Sequence, residues 1–161
     1  MITIQKCQQK HEQAAQNLIV RVLNEEFPKE SEAYPTDDLK TILQTYGKLG
    51  EAFFVALDGG KVIGTIGVKR DDDRTALLRR LFVAPEYRRK RVGIQLLDRA
   101  IEFCKEVGYG EIVIKTTSTM NRAVDLCERK GFVSRARLPV GPIELLKFVL
   151  TLKDDVAFAK N

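Results

Sequence analysis

The 161 residues contain three cysteines, one histidine and no tryptophan, and the scarcity of cysteine and histidine limits how the protein is held together. Cys7, Cys104 and Cys127 are an odd number, widely spaced, with no Cys-x-x-Cys and only His11 to add a ligand, so neither a disulfide framework nor a zinc site is expected. Also missing is a run of about 18 apolar residues, the length that crosses a bilayer as a helix. Residues 1–7 read as a strand and lack the apolar core of a signal peptide, so a cytoplasmic protein with no membrane partner is expected. With no internal repeat and no low-complexity linker, residues 1–161 are expected to form one domain, large enough to bury a core without metal or disulfide.

What is present is an ordinary globular mixture, 44% hydrophobic and 30% charged. A net charge of +5 and a pI near 9.2 favour an anionic partner, but charge alone does not separate nucleic acid from a phosphorylated cofactor. The placement of the cations has to decide.

Ile2 and Ile4 alternate with polar residues in a first strand, and Ala14, Ala15, Leu18, Ile19, Val22 and Leu23 then recur at helical spacing. Residues 25–38 are rich in acids and broken by Pro28 and Pro35, which predicts an acidic loop. A helix over 37–46 follows, with Thr36 and Asp37 supplying capping oxygens. Residues 53–57 and 62–68 flank Asp58-Gly59-Gly60-Lys61, a hairpin turn, and a polar turn at 71–74 leads into a strand ending at Val83; together they make an antiparallel meander. Leu96, Leu97, Ala100, Ile101, Cys104 and Val107 define a helix that Gly108 stops. A short strand at 112–115, a helix over 121–130 and a final hairpin through 139–142 complete the chain. The strand-helix-strand crossover over 78–116 places one parallel pair in an otherwise antiparallel sheet.

Residues 77–94 carry the most information. An apolar strand passes through a proline turn into Arg88, Arg89, Lys90 and Arg91 at a helix start, where free backbone N–H groups and the positive end of the helix dipole suit a phosphate. By themselves the four cations also fit a solvated helix end or a short nucleic-acid patch. Further basic residues and stacking aromatics on one face, usual for nucleic acid, are not evident, and no nucleic-acid partner is expected. Of Arg79 and Arg80, one is expected to face solvent and one the site.

The strand, Pro-Glu-Tyr, Arg88 and then Gly93 resemble the acyl-CoA signature of the GNAT N-acetyltransferase superfamily, Gln/Arg-x-x-Gly-x-Gly/Ala, with Arg91 at the middle glycine. Residues 121–132, from Asn121 through Ala123, Leu126 and Cys127 to Gly131-Phe132, look like its Asn-x-x-Ala-x-x-Leu-Tyr-x-x-x-Gly-Phe segment, altered mainly at the tyrosine. The resemblance implies a mixed α/β domain with a mostly antiparallel sheet of about seven strands and about four helices, its parallel pair splayed for CoA. It implies acetyl-CoA as cosubstrate, an amine as acceptor, no metal, and a monomer or homodimer. It assigns Leu81, Phe82 and Val83 to the pantetheine arm, which pairs like an added strand. It assigns the diphosphate to the backbone of Arg88, Arg89, Lys90, Arg91, Val92, Gly93 and Ile94, and Asn121 to the pantetheine or the helix cap. Val83 N–H then stabilises the oxyanion as the amine attacks.

The family often uses a strand glutamate as base and a helix tyrosine as acid; Leu77 and Cys127 stand at those positions. Cys127 is a candidate acid through a bridging water, against a buried apolar filler. Asp71, Asp72, Asp73, Glu144, Glu25, Glu26 and Glu30 are the candidate bases. The acids at 25–38 suggest a cationic acceptor, and an acyl-CoA-binding sensor that lost catalysis is the alternative to an enzyme. His11 is expected to be a surface cap, and Cys7, Cys104 and Phe132 to be core filler.

Overall fold

The computed structural model describes residues 1–28 and 36–153, so Glu30 and Pro35 lie outside the described residues. Seven strands form one sheet: β1 (Ile2–Lys6), β2 (Ala52–Asp58), β3 (Lys61–Arg70), β4 (Thr75–Val83), β5 (Glu111–Thr117), β6 (Val133–Val140) and β7 (Ile143–Thr151), in the order β1-β2-β3-β4-β5-β7-β6. Neighbours are antiparallel except β4 and β5, which run parallel, as the crossover requires. The helices are α1 (Glu12–Glu26), α2 (Ile42–Thr45), α3 (Val92–Val107) and α4 (Asn121–Arg129).

α1 buries Ala15, Leu18, Ile19, Val22 and Leu23, one apolar stripe at i, i+3, i+4, i+7 spacing, and α3 buries Leu96, Leu97, Ala100, Ile101 and Cys104 in the same way. The strands between, with Phe54, Ile63 and Ile66 almost wholly enclosed, form the core. Gly108 ends α3 at φ +100°, a left-handed cap that glycine takes without the clash a side chain adds.

Several local expectations change. Residues 37–46 do not form one helix. A 3₁₀ turn over Asp37–Thr41 runs into the single turn of α2, and Thr36 makes no side-chain cap. The neighbouring carboxylate, Asp38, accepts instead from Tyr46 Oη (2.8 Å) and from Arg80. His11 is buried rather than on the surface: its Nδ1 accepts from Gln8 N–H (3.0 Å) and closes the entry turn to α1. In the last hairpin Pro139 and Val140 belong to β6, and the turn contracts to Gly141-Pro142. β6 is exposed along its whole length, an edge position where a residue without N–H is tolerated.

Candidate active site

β4 and β5 are paired only from Thr75↔Glu111 to Leu78↔Ile114. Beyond that point β4 continues to Val83 along β3, while β5 turns its other edge to β7, so the two parallel strands part. Ala84 N–H donates to Ile63 C=O on β3 (2.8 Å). Backbone N–H groups alternate sides along a strand, so Val83 and Leu81 direct theirs away from β3, into the gap. An extended ligand can pair with that edge.

A β-bulge shapes the gap. β3 and β4 are in register at Gly67↔Arg79 and again at Thr65↔Phe82, so Arg80 and Leu81 together oppose Ile66. Arg80 has φ +60°, a left-handed conformation that costs a non-glycine residue about 1–3 kcal/mol. Two contacts hold it there. Thr65 Oγ1 donates to Arg80 C=O (2.7 Å), and the buried guanidinium grips Asp38 through Nε (3.0 Å) and Nη2. Burial pushes the Asp38 carboxyl up, but Arg80 and the Tyr46 hydroxyl outweigh it and hold the group below the usual carboxylate range. Of the two arginines, Arg79 is the exposed one and Arg80 the buried one.

Where β4 leaves the sheet, Pro85–Tyr87 makes a 3₁₀ turn and the chain enters the cationic segment that precedes α3. Arg89 and Arg91 both have φ +64°, so Arg91 keeps the left-handed geometry of the glycine it replaces. The first intrahelical bond of α3 runs from Gln95 N–H to Arg91 C=O (3.1 Å). Val92, Gly93 and Ile94 are left with N–H groups that have no intrahelical acceptor, at the positive end of the helix dipole. Gly93 also lets α4 approach, since a Cβ there would lie 3.0 Å from Leu126 Cδ1.

A groove of about 740 Å³ joins these parts. Leu81, Phe82, Val83, Arg88, Arg89, Arg91, Val92, Gly93, Ile94 and Asn121 line it, so most residues singled out in the sequence come together. Lys90 does not: its ammonium lies over the Tyr87 ring, 5.2 Å from the centroid. Arg88 reaches the groove through a partner, donating to both oxygens of Glu26 (2.8 and 2.9 Å) at the end of α1. Arg122 and Arg129 were not anticipated, although seven residues on one helix put them on a common face. Five arginines, Arg88, Arg89, Arg91, Arg122 and Arg129, face Glu26 and Asp125 in the lining, an excess of cation that suits a phosphorylated ligand.

Two expectations are corrected here. Asn121 is not a helix cap, since it is the first helical residue and Met120 holds the N-cap position. Counted back from Gly131-Phe132, the family pattern puts its asparagine at Met120, one residue before Asn121. Cys127 is fully buried, burial pushes its thiol up to about 12, and it lines neither cavity. A thiol enclosed in the core in this way packs as a filler, as Cys7 and Cys104 do.

The described candidate bases are either engaged or remote from the gap. Asp72 accepts from the N–H groups of Arg74 and Thr75 in the β3–β4 turn, at the end of β4 remote from the gap, and Asp71 and Asp73 share that turn. Glu144 pairs with Arg137, Glu25 with Arg21, and Glu26 with Arg88 and Arg122. The described acids of the 25–38 segment that line or back the site are therefore held by arginines. Leu77 lines a second cavity, of about 260 Å³, between the parted strands; Leu81, Phe82, Met120 and Ala123 form walls common to both spaces.

The family and the fold are shared with known proteins. The model of the acetyltransferase (GNAT) family matches residues 17–132. A probable N-acetyltransferase, camello, of Xenopus tropicalis is 36% identical over 92 residues, which are 56% of this chain and 42% of that protein. An N-acetylaspartate synthetase of Danio rerio is 37% identical over 84 residues, 52% of this chain and 30% of that protein. The chain thus matches less than half the length of these relatives. Among solved structures, an acetyltransferase from Streptococcus agalactiae 2603 superposes with a TM-score of 0.82 at 28% identity, covering 94% of this chain and 98% of that one. The structure of yncA from Salmonella typhimurium with its cofactor acetyl-CoA has a TM-score of 0.81 at 21% identity over 95% of each chain, a likeness of fold.

Proposed function

The chain belongs to the acetyltransferase (GNAT) family, and from that membership we propose that it transfers an acetyl group from acetyl-CoA to a primary amine by direct attack. The observation that carries the reading is the joined groove, with a free strand edge at Leu81 and Val83 at one end and three unpaired helix N–H groups at the other. Pantetheine fits the first as an added strand and diphosphate fits the second. Acetyl-CoA supplies an activated thioester.

The protein's own part is positioning and charge. Val83 N–H meets the carbonyl oxygen as it becomes an oxyanion, a donor fixed in advance by the bulge. The neutral amine forms the new C–N bond, the C–S bond breaks, CoA leaves as thiolate, and the ammonium proton passes to water. Holding the two reactants in contact contributes the remainder. No described side chain in either lining is assigned as base or acid.

That absence favours a second reading, an acyl-CoA-binding module without transfer: Leu77 has no proton to exchange and Cys127 is enclosed. The two are separated by incubating the protein with acetyl-CoA and a panel of amines while following free thiol and acetylated product. Amine-dependent thiol release with a matching product supports transfer. Thermal stabilisation by CoA with no release for any amine would leave the binding module.

A further inference from the structure

The second cavity has a chemistry of its own. Arg79, Arg80 and Lys115 line it together with Thr116 and apolar residues, and no acid is among the described lining residues. Asp38 pairs with Arg80 from behind and its charge also reaches Arg79, but neither Arg79 nor Lys115 forms a salt bridge with a described residue. Lys147 lies directly opposite Lys115 on β7, a like-charge pair that is unfavourable unless an anion sits near it. Thr116 is 3% exposed, and its Oγ1 has no hydrogen-bond partner among the described residues. A buried hydroxyl left unpaired costs about 1–3 kcal/mol, so a ligand that supplies the missing partner is favoured there.

We infer that this cavity is the acceptor subsite and that it takes a small amine bearing a carboxylate, with Arg79 and Lys115 holding the carboxylate. The inference rests on the acetyl-transfer reading for its second half, because the amine is the group presented to the thioester. Three observations support it. The cavity is continuous with the groove through Leu81, Phe82, Met120 and Ala123, so an acceptor in it reaches the Leu81–Val83 edge. Its size, about 260 Å³, suits an amino acid or short peptide end rather than a folded protein surface. Its charge is opposite to that expected from residues 25–38, of whose described acids Glu25, Glu26 and Asp38 are paired with Arg21, Arg80, Arg88 and Arg122.

The test compares amino acids and dipeptides with their own C-terminal amides and with polyamines, in transfer assays and, independently of turnover, by calorimetric titration into CoA-saturated protein. Free carboxylates are expected to be used and bound at least tenfold better than the matching amides, about 1.4 kcal/mol. Arg79→Gln and Lys115→Gln should each raise KM for carboxylate acceptors severalfold and leave the affinity for acetyl-CoA unchanged. Carboxylate binding without thiol release would sink the transfer and keep the subsite. Transfer that is equal or faster with amides or polyamines would overturn the subsite and keep the transfer. Neither binding nor transfer would overturn both.

Discussion

Asp38 and Arg80 tie the 3₁₀ turn before α2 to the bulge that aims Val83, and removing one charge tests whether that tie is real. Asp38→Asn leaves a guanidinium whose side chain is 2% exposed beside a neutral amide, where a carboxylate 9% exposed had stood. Breaking a buried pair by neutralising one partner costs about 3–5 kcal/mol, because the other charge keeps its desolvation cost and loses that attraction. In a domain of this size each kcal/mol lowers Tm by about 2–4 °C, so calorimetry should record a fall of about 6–20 °C. The double variant Asp38→Leu with Arg80→Met, which removes both charges, should recover most of it. Turnover should not follow stability. With the arginine gone only the Thr65 Oγ1 bond to the carbonyl of residue 80 still holds it in the left-handed region, the bulge loosens, and the Val83 N–H proposed as oxyanion donor loses its aim. Losing one oxyanion donor costs about 10²–10³ in kcat, and the double variant should keep that loss while its KM for acetyl-CoA changes little. An Asp38→Asn protein within about 1 kcal/mol of the parent, or a double variant with full kcat, would refute the reasoning.

Two further outcomes follow from ion pairing and burial. Glu26 occupies Arg88 and Arg122 in the groove, so Glu26→Gln should free both and remove an anion from the phosphate path. Acetyl-CoA is then expected to bind about threefold to tenfold tighter by titration, and weaker binding would mean that Glu26 instead holds Arg88 in place for the phosphate. Burial lowers the pKa of His11, with the Lys10 charge acting in the same direction, and its Nδ1 is an acceptor in the fold. A depressed histidine favours the folded state above its unfolded pKa of about 6.5 and loses that contribution as pH falls. Thermal denaturation from pH 7.5 to 5 should therefore show a decline in Tm that His11→Asn reduces; equal slopes for the two proteins would remove His11 as the cause.

The fold was legible where the signal is local. Gly59-Gly60 marks the β2–β3 turn, Gly108 marks the end of α3, and the periodicities of α1 and α3 are those of buried helices. The insertion of β7 between β5 and β6 is not a local property, since pairing of the last hairpin is compatible with either strand lying inward. Burial decides it. Ile143, Leu146 and Phe148 give β7 a face to cover, whereas β6 carries Arg135, Arg137 and Pro139, residues suited to an edge. The short, partly 3₁₀ path from Asp37 to Thr45 was missed because Asp38 is used by Arg80, 42 positions away, and such a bond is invisible to capping rules.

The same division runs through the site. The proposed phosphate socket could be read because its parts are contiguous: a proline turn, cations, and a helix start whose N–H groups without an intrahelical acceptor follow from helix geometry alone. Even there the detail came from backbone conformation, since Arg91 keeps the left-handed φ that glycine would supply, and Lys90 turns to Tyr87. The proposed acceptor side could not be read in this way. Its residues come from the outer part of β4 and from β5, and whether a charge is available depends on what it meets across the fold. The acids at 25–38 suggest a negative site in the sequence, yet the described ones that line or back the site, Glu26 and Asp38, are matched by Arg88, Arg122 and Arg80. Net charge in a stretch of sequence counts every ionisable group, whereas recognition depends on those left unpaired after folding. In the described residues around the second cavity these are Arg79 and Lys115, and both are positive.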